Sequence, residues 1–238
     1  MPSSEPFSSR SYPTGFDFFV IVSAAVAITA VGFAILIGLS IFAEEPIGFF
    51  LFDDDSALEL AIAMVMAGAL ILALYLVGIR RRGLRWSSFG FISPTRGWLI
   101  LNVVLAILLA GVMGFLEWVL NIPVTEIAVE HLGTDKMTPP KIVVFGVLTI
   151  LIAPLIEELF FRGLPYSWIR GRWGIKVGIV TTSLLFGVSH FQHVFWMGSA
   201  VIVGVFLAVV CEYSGTLWNC VIFHSVFNSF PLWTKFFH

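Results

Sequence analysis

The sequence predicts an all-α fold, a polytopic bundle of about seven transmembrane helices within a range of about six to eight, and three observations predict it. Of the 238 residues, 58% are hydrophobic and 12% charged, with a mean hydropathy of +0.98, far more apolar than a soluble domain of ordinary usage. The apolar residues fall in long uninterrupted runs, and the charges collect in the short stretches between them. Those stretches alternate in sign, acidic after the first run and basic after the second.

Residues 1–15 are rich in Ser and Pro and read as a disordered tail, and residues 16–238 as one membrane domain. The runs lie at 18–42, 57–79, 98–120, 142–169, 174–194, 198–212 and 217–230. A bilayer core needs about 20 helical residues, so the fourth run is long and the last two are short. The first run is too long for a signal-peptide core and is read as a retained helix. Between the first two runs lie Glu44, Glu45, Asp53, Asp54, Asp55 and Glu59, and after the second come Arg80, Arg81, Arg82, Arg85 and Arg96. Positive charge stays on the cytoplasmic side. The N-terminus and the loops with Arg80–Arg96 and Arg170, Arg172 and Lys176 are therefore expected inside. The acidic loop, Lys136, Lys141, Lys235 and the C-terminus are expected outside, unless the short sixth run is re-entrant and reverses the last helix.

Thr138-Pro139-Pro140 marks the start of the fourth helix, because proline is harmless in a first turn where its missing N–H is not needed. Pro154 and Pro165 inside that helix predict kinks, which membrane helices tolerate when neighbours satisfy the freed carbonyls. No basic tract points to nucleic acid, and no internal repeat is present. Cys211 and Cys220 lie in apolar runs and are expected as buried thiols.

Against this background a few polar residues are out of place. The fourth helix carries Glu157, Glu158 and Arg162. A charge at the centre of a membrane helix costs about 2.5–3.5 kcal/mol, so three left unpaired would cost roughly 8–10 kcal/mol. Glu158 and Arg162 are one turn apart and can pair, while Glu157 is turned by about 100° and needs another partner. A helix end with charges reaching into the headgroups is the alternative, but Leu164, Tyr166, Trp168 and Ile169 continue the apolar pattern. Counted at about 1.5 Å per residue, Glu158 lies about 18 Å from the cytoplasmic end, His190 about 24 Å, and His224 and Asn228 about 11 and 17 Å. Three helices thus bring costly polar groups to the middle of the bilayer, where a shared buried site can satisfy them. His193 is read as structural or interfacial, and Glu117 and Glu212 as solvated helix ends. His131 and His238 lie outside the membrane.

These residues resemble the three motifs of the CAAX-protease and bacteriocin-processing family, also called the abortive-infection family. Glu157, Glu158 and Arg162 match the first motif, Phe186 and His190 the second, and His224 and Asn228 the third. The resemblance covers about 142–230, which it marks as the catalytic core. It implies an intramembrane endopeptidase acting on a peptide or protein substrate at the lipid bilayer, lipidated in some members. Carried over, Glu157 and His190 activate a water, His224 and Asn228 stabilise the oxyanion, and Glu158 bonded to Arg162 holds the geometry. The chemistry is sound, because burial moves a carboxylate toward the basicity a general base needs and preorganised donors stabilise a developing oxyanion. Glu157, His190 and His224 are also a ligand set for a divalent metal such as zinc. The metal-free version is favoured, since Arg162 and Asn228 otherwise lack a direct role. A different class of function uses the same cluster without catalysis, as a membrane scaffold or a proton-coupled transporter.

Overall fold

The computed structural model describes residues 13–42, 56–122, 139–191 and 193–237. All seven apolar runs are helical: α1 Gly15–Phe42, α2 Ser56–Ala73, α3 Arg96–Leu120, α4 over residues 139–173, α5 Ile175–Val188, α6 Val194–Ser214 and α7 Leu217–Phe237. Five of the helical stretches, Gly15–Ile35, Met64–Arg81, Arg96–Leu120, Ile142–Trp173 and Val194–Ser214, are long and apolar enough to cross a membrane. The protein is therefore an integral, multi-pass membrane protein. Large side chains such as Ile100, Leu108, Phe115 and Trp118 are exposed, as lipid-facing positions should be. The acidic residues 44–55, the tail 1–12, His131, Lys136 and His238 lie outside the described residues, as do the side chains of Glu59, Lys141 and Lys235.

The chain divides into two compact units at the Arg-rich stretch, Pro13–Arg85 and the part from Trp86 onward. In the first, α1 packs on α2, which ends in a π turn, Leu74–Arg81. Thr14 and Asp17 cap the start of α1 reciprocally: Thr14 N–H and Oγ1 donate to Asp17 Oδ2 at 2.9 and 2.7 Å, and Asp17 N–H donates to Thr14 Oγ1 at 3.2 Å. This is the capping-box logic, in which two otherwise orphaned donors are satisfied together. Arg82 then donates from Nε to Asp17 Oδ1 at 2.5 Å, so the start of α1 and the end of α2 lie at one end of this unit.

The second unit holds α3–α7. Two polar ties gather its turns at one end. Arg170 forks onto Glu212 with Nε and Nη2, both at 2.7 Å, joining the ends of α4 and α6. Leu217 N–H donates to Gly90 O at 2.8 Å, and the Thr216 hydroxyl to Ile92 O, pinning the start of α7 to the loop before α3. The loop before α3, the α4–α5 turn and the α6–α7 turn thus share one side of the unit. Glu212 is consequently no solvated helix end, as the sequence led us to expect: it is 7% exposed, bonded to Arg170 and to the Tyr166 hydroxyl at 2.8 Å.

Two departures from regular helix matter for the site. Helix α4 alternates α and π segments, with π turns at Leu148–Ile152 and Leu159–Tyr166. Pro154 and Pro165, at which kinks were expected, lie beside and within these π turns, and Ser167 Oγ donates to Arg162 O at 3.1 Å. Helix α5 stops at Val188, earlier than the expected 194, so Ser189 and His190 lie in a turn rather than in mid-helix. The cause is local capping, since Ser189 Oγ and His190 Nδ1 both bond the end-of-helix carbonyl of Phe186, at 2.7 and 2.8 Å. Helix α6 packs closely on α5 through two glycines. A Cβ at Gly187 would lie 2.2 Å from Val201 Cγ2, and one at Gly204 would lie 3.1 Å from Ser183 Cα.

Candidate active site

The costly charges of α4 do find partners. Glu158 and Arg162 are both wholly buried, and Arg162 Nη1 donates to Glu158 Oε1 at 3.1 Å. Arg162 Nη2 donates to Gly204 O on α6 at 2.9 Å, reached because Gly204 lets α5 and α6 approach. The guanidinium also lies over the Phe186 ring at 4.7 Å, a favourable placement for a cation out of water.

From α7, His224 enters the same cluster. Its Nδ1 lies 2.9 Å from Glu158 Oε1, and its Nε2 3.7 Å from Glu157 Oε2. A carboxylate only accepts, so the Glu158 contact places the proton on Nδ1 and aims Nε2 at Glu157. Glu157 keeps 30% of its side chain exposed, which makes it the accessible carboxylate of the two. His224 is thus the imidazole nearest Glu157, at a distance longer than a hydrogen bond.

His190 belongs to the neighbourhood through an aromatic spacer. The Phe186 ring lies 4.8 Å from the His190 ring and 5.6 Å from that of His224, and Trp196 closes on His190 at 5.6 Å. Both hydrogen bonds that His190 makes use Nδ1. Its bond to the Phe186 carbonyl requires a proton there, which leaves Nε2 as a free acceptor. Among the described residues no hydrogen bond or ion pair joins His190 to Glu157. Asn228, one turn beyond His224, donates from Nδ2 to Thr149 O of α4 at 3.2 Å. His193 stays outside the cluster as the cap of α6, where its Nδ1 accepts from Phe195 N–H.

Some valences remain unspent. Among the described residues, Glu157 Oε2, Glu158 Oε2 and Arg162 Nε are buried without a hydrogen-bond partner. Such atoms are expensive in a purely structural network and useful where a water or substrate completes it. For the divalent-metal alternative, among the described residues no three or more His, Cys, Asp or Glu side chains, Glu157, His190 and His224 included, group closely enough to hold a metal ion.

Beside the cluster, α4 and α7 enclose an apolar groove of about 370 Å³, lined by Leu151, Ile152, Leu155, Val221, Ile222 and Ser225 among others. Leu155 is one turn before Glu158, and Val221 one turn before His224. Nothing in the residue pattern announces this groove, or the backbone acceptors at Gly204 and Thr149. Phe186 stood out there only as a motif letter.

Fold and site together define a multi-pass membrane protein with a buried acid, base and cation cluster shared by four helices. Residues 139–230, the segment that carries the three motifs, match the family model described as type II CAAX prenyl endopeptidase Rce1-like. A curated relative, an uncharacterized 24.3 kDa protein of Escherichia coli, is 37% identical over 98 residues, covering 39% of this chain and 44% of that protein. The chain thus matches less than half the length of this relative. No solved structure matches.

Proposed function

We propose that the protein is an intramembrane endopeptidase that hydrolyses a peptide bond close to the membrane with a water activated by Glu157 and His190. The observation that carries this reading is the pair of unlike carboxylates on one helix turn. Glu158 is buried and bound to Arg162 and His224, whereas the Glu157 side chain is partly exposed and its buried Oε2 has no hydrogen-bond partner among the described residues. Glu157 takes a proton from the water, whose oxygen attacks the peptide carbonyl, and His190 Nε2 helps orient that water as an acceptor. His224, held by Glu158 through Nδ1–H and carrying a second proton on Nε2, donates from Nε2 to the developing oxyanion, together with the Asn228 amide. The C–N bond then breaks as Glu157 returns the proton to the leaving amine.

The apolar groove supports a substrate that carries a lipid chain. An isoprenoid seated between Leu155 and Val221 brings an attached peptide within a turn of the cluster. The test uses purified protein and an internally quenched peptide ending in a CAAX sequence with a farnesylated cysteine. Cleavage by the wild type and none by Glu157→Gln is expected, and equal rates for both proteins would sink the reading.

The same reading keeps the site in the middle of the bilayer, with the N-terminus and both Arg-rich loops inside. The clustering of the α4–α5 turn with the loop before α3 supports it. In intact cells an impermeant thiol reagent is expected to label Asp54→Cys and to spare Arg81→Cys; the reverse pattern overturns the topology.

A further inference from the structure

The bond from Asn228 to Thr149 needs an explanation, because a carbonyl inside a helix ordinarily has a main-chain N–H of its own. Around Thr149 the helix is in π register, with Ala153 N–H bonded to Leu148 O. Continued by one residue, that register assigns the carbonyl of Thr149 to the N–H of residue 154. Residue 154 is proline, buried, and has no N–H to give. Thr149 O is therefore left as an acceptor by the sequence of α4 itself, and the Asn228 carboxamide fills it across the α4–α7 seam at 3.2 Å. This fixes the amide plane. One Nδ2 hydrogen is spent on Thr149, and the second makes no other hydrogen bond among the described residues.

We propose that Pro154 is a positioning residue for the reaction: by withholding one main-chain donor it creates the carbonyl acceptor that orients Asn228 for the oxyanion. The catalytic part of this proposal rests on the peptidase reading, whereas the bond that orients the amide stands apart from it. Asn228 has the same helical face as His224, one turn away, so the device sets both third-motif side chains against α4.

Replacing Pro154 with alanine tests it in the full-length protein. Whichever register α4 then adopts, Thr149 O gains a main-chain donor, from the new N–H at position 154 in a π turn or from that of Ala153 in an α turn, and Asn228 loses its acceptor. Helix propensity favours alanine over proline strongly, so Pro154→Ala is expected to keep or raise the thermal midpoint. Three measurements go with that midpoint. In protein labelled with 15N-asparagine, the side-chain amide resonance of Asn228, assigned by its loss in Asn228→Asp, should shift to the position of an unanchored carboxamide. On the farnesylated probe, kcat should fall about tenfold to a hundredfold with KM unchanged, the size typical of a lost outer-shell orienter. The Pro154→Ala, Asn228→Ala double variant should be no slower than Asn228→Ala alone.

An unchanged Asn228 amide resonance overturns the proposal, and so do multiplicative losses in the double variant. A fall in kcat that merely follows a fall in thermal midpoint overturns it as well. Pro154→Leu supplies the same N–H and decides the matter if the alanine variant does not fold. If the wild type leaves the probe uncut, it is the peptidase reading that fails, while the amide resonance still decides whether Pro154 orients Asn228.

Discussion

Helix α4 carries two arginine–carboxylate pairs, and they are built to opposite ends. Arg170 and Glu212 meet at the helix ends through two parallel bonds of 2.7 Å, with Tyr166 on the same carboxylate. Glu212 is thereby saturated, and the pair acts as a rivet between α4 and α6. Arg162 and Glu158 meet in the interior through one bond of 3.1 Å, and each retains a buried polar atom without a hydrogen-bond partner among the described residues. Removing two charges from water is repaid only by full pairing, so an incompletely paired interior cluster is expensive as architecture. Its open valences are where a histidine, a water or a substrate can be accommodated. The contrast teaches that saturation, more than the presence of charge, separates the scaffold from the candidate site.

The largest effect should come from breaking the interior pair. Glu158→Gln strands a buried guanidinium and is expected to destabilise by about 3–5 kcal/mol, read as a lower thermal midpoint in detergent; Glu158→Gln with Arg162→Met should recover part of that stability and no activity. A stable Glu158→Gln protein would mean that Gly204 O and Phe186 suffice to hold Arg162. The rivet comes next. Glu212→Gln weakens three charge-assisted bonds, two from Arg170 and one from Tyr166, and is expected to cost about 1.5–3 kcal/mol, with cleavage of the probe retained below the new melting temperature. Loss of activity without loss of stability would move Glu212 out of the scaffold. Smallest in stability and greatest in turnover is Glu157→Gln, where the amide keeps size and hydrogen bonding at a partly exposed position. Its stability should change by about 0.5 kcal/mol or less while cleavage disappears; if it proves less stable than Glu158→Gln, the two glutamates exchange roles.

Much of this was legible in the sequence, and for a physical reason. The bilayer forbids unpaired backbone and charge alike, so each span appears as an apolar run, and Glu157, Glu158, Arg162, His190, His224 and Asn228 stand out as exceptions. The end of α5 was not legible, because it is set by Ser189 and His190 folding back on the Phe186 carbonyl, a competition between local bonds that residue type leaves open. Glu212 was misread as solvated since Arg170 lies 42 positions away and nothing local announces the pairing. The acceptors at Gly204 and Thr149 are main-chain atoms, and only Pro154 hints that one of them is free. The roles given to Glu157 and His190 stand as proposals, with His224 rather than His190 as the imidazole nearest Glu157.

The tie between the start of α7 and the loop before α3 has a consequence for biogenesis. Thr216 and Ile92 are 124 residues apart, and His224 follows only two turns later. During synthesis Glu158 and Arg162 are made and inserted long before the imidazole that completes them, since chains emerge at about 5–20 residues per second. The nascent protein must therefore hold its charged helix for several seconds with an unfinished cluster, shielded by the insertion machinery or by water. Docking of α7 is then the step that brings His224 to Glu158, and a nascent intermediate lacking α7 is expected to cut no substrate.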